Sequence, residues 1–347
     1  MAVKKVLFGE TPKNEQVFEY HITNKNNVEV VVINYGVTIK NIFVPDKNGN
    51  RVDVVLGYDK LEDYFANGCF LGSTVGPTAN RINEAKYKID GKEFTLPVND
   101  GPNNLHTDMD NGFHKRVWDA AEGEDSVKFT LEAKDGDIGF AGNRRFEVTY
   151  KLTDDNSLSI HYFATSDANT LINMTNHAYF NLSGHNAGSI HDHVLKLNAS
   201  HFTPVIDSAA IPTGEIASVK GTPFDFTTEK PVGKDIEADD YQLKAVSGYD
   251  HNFVIDEADG SIKEAAVLTS PKTGITMKCF TDLPGVQFYA GNFVEGTGCK
   301  DGANYKHRDG LCLETQFYPD SINQPDFPKP VFGPGKAYDT TTIYQFV

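Results

Sequence analysis

Apolar residues recur at every second position along much of the chain. Phe146, Val148, Tyr150 and Leu152 alternate with polar neighbours, and after the turn Asp154-Asp155-Asn156 the pattern resumes at Leu158, Ile160 and Tyr162. A period of two marks strands whose two faces meet different surroundings. Turn-forming pairs punctuate the alternation. Asn48-Gly49 follows Val44-Pro45, Asp90-Gly91 separates Tyr87-Lys88-Ile89 from Glu93-Phe94-Thr95, and Asp135-Gly136 and Thr273-Gly274 flank further alternating runs. Such pairs predict β-hairpins in series. Only residues 60–65 carry the spacing of a short helix. No Ser/Pro/Gly-rich linker, low-complexity tract or fixed-period repeat divides the sequence. The expectation is an all-β fold in which residues 1–347 form one large antiparallel β-sandwich domain.

Charge and composition narrow the partners. Lys and Arg number 32 against 48 Asp and Glu, a formal net charge of -16, which opposes binding to a phosphate backbone. No run approaches the ~18 apolar residues that cross a bilayer, and the apolar part of residues 1–10 is too short for a signal peptide. Cys69, Cys279, Cys299 and Cys312 are far apart with no Cys-x-x-Cys spacing, the pattern of reduced thiols rather than of a disulfide framework or thiolate zinc site. A cytoplasmic protein is expected. No nucleic-acid or membrane partner is expected.

Several segments carry chemistry that a plain sandwich does not require. Asn173-Met174-Thr175-Asn176-His177-Ala178-Tyr179-Phe180 sets one imidazole in an apolar, amide-rich run with the look of a buried strand. His177 is either a core histidine satisfied by a carbonyl or a group that exchanges protons near neutral pH. Leu311-Cys312-Leu313-Glu314-Thr315-Gln316 places a glutamate among apolar and small residues. Glutamate is rarely buried alone, so Glu314 either pairs with an arginine or acts as a general base. Asn80 beside Arg81 offers an amide and a fixed cation to vicinal hydroxyls, and His106 ends the turn-rich loop Gly101-Pro102-Asn103-Asn104-Leu105-His106. Asp250 stands at the mouth of a strand, and Gln287 lies between aromatics, a combination suited to a sugar. Phe288 and Phe293 are expected in the core. His114, His161 and His201 are expected in solvent. His191-Asp192-His193 has a spacing compatible with a metal, but a polar turn accounts for it, and no metal site is expected.

Taken together, six ordered segments resemble the aldose 1-epimerases, the galactose mutarotase family: 75–82 around Asn80-Arg81, 101–106 ending in His106, 175–182 around His177, 248–253 around Asp250, 287–293 from Gln287, and 313–316 around Glu314. The resemblance implies a large β-sandwich with Glu314 as base and His177 as acid, and Asn80, Arg81, His106, Tyr179, Asp250 and Gln287 as sugar contacts. It implies an isomerase of galactose and glucose, a reaction whose chemistry needs no cofactor; a monomer or homodimer is expected. A disaccharide such as maltose is a further candidate substrate. Two departures stand out. Pro77-Thr78 replaces a frequent Arg-Val ahead of Ala79-Asn80-Arg81, and Thr107-Asp108 replaces a frequent Gly-Gly, a change that makes this loop the expected place where the choice of sugar is made. Two other readings remain open at this point: a glycosidase using Glu314 and Asp250 as paired carboxylates, and a non-catalytic carbohydrate-binding module.

Overall fold

The computed structural model describes residues 2–347. The alternating runs form strands, and every paired strand is antiparallel to its neighbours, as expected of hairpins in series. Asp90-Gly91 closes the hairpin of Lys86–Ile89 with Lys92–Thr95, and Asn48-Gly49 turns Thr38–Pro45 into Arg51–Asp53. The short helix is Leu61–Ala66, with Glu62 and Asp63 in its first turn, where acidic side chains favour the helix dipole.

Three sheets carry the architecture. Residues 2–53 supply a five-stranded meander, and a nine-stranded sheet runs from Asp119–Glu122 at one edge to Lys230–Pro231 at the other. Near the middle of the nine-stranded sheet the strand Tyr338–Phe346 lies between Ser157–Ser166 and Thr276–Thr281, bonded to both. A second five-stranded sheet contains, side by side, Asp250–Val254, Gly285–Tyr289 and Cys312–Gln316. One hydrophobic core, from Tyr20 to Phe346, draws side chains from all three sheets.

Burial patterns separate the two kinds of strand. Ser157–Ser166 and Tyr338–Phe346 alternate between buried and partly exposed positions, so one face meets the core and the other faces outward. Gly285–Tyr289 and Cys312–Gln316 are buried at every position. Along Cys312–Gln316, the Tyr344 hydroxyl donates to the Leu313 carbonyl at 2.9 Å and Thr315 bonds Thr342, which ties one face to the nine-stranded sheet. Cys312, Glu314 and Gln316 point the other way. Polar side chains on the second face of a doubly buried strand need partners of their own, and they find them in a cavity.

The segment holding His177 departs from the expected strand. Its one strand is the two-residue Thr175–Asn176, paired with Thr74–Val75, with single bridges at Asn173 to Thr78 and at Phe180 to Val55 and Leu311, and His177 itself lies outside any strand. The His177 backbone is held by neighbouring loops: its N–H donates to the Ser73 carbonyl at 2.9 Å and its carbonyl accepts from the Gly72 N–H at 3.0 Å. The run is apolar because it is buried, not because it is a strand.

Candidate active site

A cavity of about 190 Å³ opens over the polar face of the second five-stranded sheet. Strand register explains how three distant segments meet there. Asn252 opposes Gln287, which opposes Glu314, and in the next row Asp250 opposes Tyr289, which opposes Cys312. Period two brings these rows to one face. The loops 68–70, 80–81 and 105–106 and the segment around His177 and Tyr179 close the cavity from above. All eight residues singled out in the sequence, Asn80, Arg81, His106, His177, Tyr179, Asp250, Gln287 and Glu314, line it.

A chain of amides fixes their positions. Gln287 donates to Asp250 at 2.7 Å and accepts from Gln316 at 3.0 Å, and the Gln316 carbonyl accepts from Asn80 at 3.4 Å. Asn80, at φ +59°, accepts from the Arg81 N–H through its own side chain. The Arg81 Nε donates to Asp100 at 2.8 Å, which steers the terminal guanidinium nitrogens without using them. Gln316 and Asp100 had no role in the sequence reading. Gln316 was legible as the residue two beyond Glu314 on the same face, whereas nothing local marks Asp100.

His106 has a defined tautomer. Its Nδ1 accepts from the Asn80 N–H at 3.1 Å, so Nε2 bears the proton and is a donor toward the cavity. The ligand atoms of His106, His177 and Glu314 lie within 4.8 Å of one another, close enough for a metal. The hydrogen bond from Asn80 withholds one His106 lone pair and the proton occupies the other nitrogen, so the set fits a hydroxyl-rich ligand better than a cation. His193 is likewise committed, with Nε2 accepting from the Leu182 N–H at 3.0 Å and Nδ1 beside Asp192 at 3.2 Å. The 191–193 segment is structural.

His177 is sandwiched between Phe70, at 5.9 Å between ring centroids, and Tyr179, at 5.0 Å, both nearly parallel to it. Its Nδ1 is 3.5 Å from the Cys312 thiol and its Nε2 is 3.7 Å from Glu314 Oε1. Glu314 Oε2 is buried with no hydrogen-bond partner. Burial pushes the Glu314 carboxyl well above the usual carboxylate range, reinforced by the nearby Asp250 charge and opposed by Arg81. Burial drives His177 down to about 4. Burial thus opposes charge on both members of the ligand-free pair and favours a neutral carboxyl beside a neutral imidazole. Burial also raises Asp250 and pulls His106 well down.

Three expectations from the sequence change. His114 is not solvated but buried, its ring tilted against Phe70 with centroids 4.4 Å apart, with Nε2 lacking a partner and its pKa driven down to about 3 by burial. Phe293 is not in the core but 66 % exposed at the rim of the cavity, whereas Phe288 is fully buried as expected. Thr107 and Asp108 do not line the cavity; Thr107 is buried behind it and Asp108 caps the turn at Asp110 and Asn111. The course of 76–81 is set by Asn173, whose N–H donates to the Pro77 carbonyl at 2.8 Å and whose carbonyl accepts from Ala79 at 2.7 Å.

Comparison with known proteins places this arrangement. The profile of the family described as aldose 1-epimerase matches residues 19–345. The galactose mutarotase of Bos taurus is 39% identical over 347 residues, covering 100% of this chain and 99% of that one. The aldose 1-epimerase of Escherichia coli K12 is 40% identical over 331 residues, 94% of each. Among solved structures, the galactose 1-epimerase of Lactobacillus acidophilus superposes with a TM-score of 0.86 at 29% identity, over 100% of this chain and 99% of that one. The aldose epimerase homologue of C. elegans gives 0.84 at 33%, over 94% and 98%. With a family profile spanning nearly the whole chain and relatives matched end to end, the chain belongs to the aldose 1-epimerase family.

Proposed function

We propose that the cavity interconverts the α and β anomers of galactose and glucose, with Glu314 as base and His177 as acid, and with Asn80, Arg81, His106, Tyr179, Asp250 and Gln287 holding the sugar. As a family member the chain is an aldose 1-epimerase, an isomerase acting on carbohydrates. The observation that carries the assignment of roles is the 3.7 Å approach of His177 Nε2 to a buried Glu314 whose second oxygen has no partner.

The reaction opens a cyclic hemiacetal, rotates the C1–C2 bond and closes the ring on the other face of the aldehyde. It is redox-neutral and consists of proton transfers, so it requires no cofactor. Glu314 accepts the proton of the C1 hydroxyl while the C1–O5 bond breaks, and His177 protonates O5 as it departs. Positioned proton transfer of this kind contributes about 10²–10⁴-fold. On closure the roles reverse, and Glu314 returns its proton to O1 while His177 recovers its own from O5.

Burial has a direct bearing on this cycle. The step begins with a glutamate anion and an imidazolium and ends with both neutral, so the ring-opened state has the charge distribution that the dry cavity favours. The cyclic sugar supports the charged state by donating its C1 hydroxyl to Glu314 Oε2 and accepting at O5 from His177. Arg81 adds its charge in the same sense. The acidic composition and four free thiols support a cytoplasmic location for this chemistry.

Polarimetry on freshly dissolved α-galactose and α-glucose, comparing wild type with Glu314→Gln, tests the proposal. The amide keeps the shape but accepts no proton, so the expected result is a rate near the spontaneous one with sugar still bound. Undiminished turnover would remove Glu314 from the mechanism. Release of nitrophenol from an aryl galactoside would point instead to a glycosidase, and binding without any catalysed rotation to a carbohydrate-binding module.

A further inference from the structure

Proton transfer as described above uses Nε2 of His177 and leaves Nδ1 without a task. Among the described residues one side chain reaches that nitrogen, the Cys312 sulfur at 3.5 Å. Neither group is free to drift. Cys312 is fully buried at the start of the strand Cys312–Gln316, opposite Tyr289 in the sheet, and the other face of that strand is bonded to Tyr344 and Thr342. The His177 backbone is bonded to Ser73 and Gly72, and its ring lies between Phe70 and Tyr179.

The proton cycle decides which way this contact runs. Nε2 is 3.7 Å from Glu314, so it is the nitrogen that hands its proton to O5 and recovers it on closure. Recovery needs a lone pair on Nε2, and a neutral imidazole has one there only when its proton sits on Nδ1. The Nδ1–H therefore persists through both halves of the reaction, and the group beside it has to accept. Burial, with the Glu314 and Asp250 charges, pushes the Cys312 thiol well up, so it stays an uncharged, weak acceptor. A carboxylate in its place would stabilise the imidazolium and make it a poorer acid. His106 is set the opposite way: its Nδ1 accepts from the Asn80 N–H at 3.1 Å, so its Nε2 donates a hydrogen bond but has no lone pair for a proton.

We propose that Cys312 is a positioning residue for the proton transfer at His177, its sulfur accepting the Nδ1–H so that Nε2 alone exchanges the proton. The inference rests on the mutarotase reading above. No bond to sulfur forms or breaks, and one proton moves from Nε2 to O5 and back. The other titratable groups around the ring, Glu314, Tyr289, His106, His114 and Tyr179, make no hydrogen bond to Nδ1. The ring's own backbone carbonyl favours its protonated form, in the same sense as the sulfur.

Nitrogen-15 NMR of the histidine-labelled protein at neutral pH, with polarimetry on freshly dissolved α-galactose, provides the test for wild type, Cys312→Ala and Cys312→Ser. The His177 signals are assigned by their absence from His177→Asn. In wild type the His177 proton is expected on Nδ1 and the His106 proton on Nε2. Cys312→Ala moves the His177 proton toward Nε2 and lowers kcat about tenfold with KM little changed, near the lower end of what the partner that orients an imidazole contributes. Cys312→Ser, which keeps an acceptor, retains the Nδ1–H form and most of the rate. A wild-type His177 carrying its proton on Nε2, an unchanged tautomer in Cys312→Ala, or a loss confined to KM would overturn the role of Cys312. Should Cys312→Ala fail to fold, the wild-type spectrum and Cys312→Ser still decide the matter. Absence of catalysed rotation in wild type would instead overturn the mutarotase reading itself.

Discussion

The Thr107 hydroxyl donates to the Thr78 carbonyl at 2.8 Å and accepts from the Thr78 N–H at 3.1 Å, clasping the two loops that carry His106 and Asn80. These residues belong to the two places where the sequence departs from the usual family pattern, and here they are partners. Thr107 stands at φ +72° and His106 at φ +52°, backbone conformations that a side chain disfavours. The clasp, with the bond from the Asn104 amide to the Thr107 carbonyl at 2.6 Å, offsets that strain. Thr107→Val keeps the shape and leaves two buried backbone groups unpaired. The expected cost is about 1–3 kcal/mol in denaturant unfolding, with a rise in KM from a loosened His106, and Thr107→Ser restores both. An unchanged KM would show that the clasp serves the fold alone.

His177→Asn retains a hydrogen-bonding side chain of smaller size but loses the titrating ring. Because His177 acts on the departing O5, its loss lowers kcat by about 10²-fold or more while KM changes little. Steady-state polarimetry separates the two constants. A large rise in KM with kcat preserved would make His177 a binding residue.

The pH profile follows from the shared proton. The ligand-free pair is competent while it holds one proton, and it gains a second only as pH falls through about 4, where His177 titrates. The raised Glu314 sets the alkaline limb, above the ordinary carboxylate range. The kcat/KM profile of wild type is therefore expected to have its acid limb near pH 4 rather than at the ordinary histidine value. An acid limb near 6.5 would mean that His177 titrates as an ordinary histidine in the empty site.

Stability has its own pH dependence. Burial depresses His177 and His193 to about 4, and His114 and His251 to about 3, against an ordinary value of ~6.5 in the unfolded chain. Between these limits the unfolded state binds more protons, so stability rises with pH; it is fully present above ~6.5 and is lost as pH falls toward 4. Each histidine contributes up to ~1.4 kcal/mol per pH unit in this window. Tm measured from pH 7.5 down to 5 should fall by several degrees, well before the carboxylates titrate. A Tm independent of pH across that range would mean that these rings are not held neutral.

Much of this was legible in the sequence because strands report their own surroundings. Phe146 to Leu152 and Leu158 to Tyr162 alternate as their burial does, and Asp90-Gly91 closes the hairpin its turn chemistry predicts. Glu314 and Gln287 stood out as polar residues in strands that proved to be buried on both faces. What local pattern does not encode is which loop lies above which sheet. His114 is buried because Phe70 and its neighbours cover it, and Phe293 is exposed because the chain leaves the sheet at Tyr289 and turns at Gly291, φ +66°. The same limit hid Asp100, whose only distinction is its place beside Arg81 in space.

The strand Tyr338–Phe346 gives the molecule an order of events. Its partners Ser157–Ser166 and Thr276–Thr281 leave the ribosome long before it does, and until it arrives between them the nine-stranded sheet has a gap along both. The strand bearing Glu314 rests on Thr342 and Tyr344, so its backing is absent for as long as the gap lasts. During synthesis two unpaired strand edges stand open to other chains, the condition under which β-proteins associate wrongly. Until that gap closes, the strand bearing Glu314 has no backing from Thr342 and Tyr344, so the active site is completed only by the last strand of the sequence order.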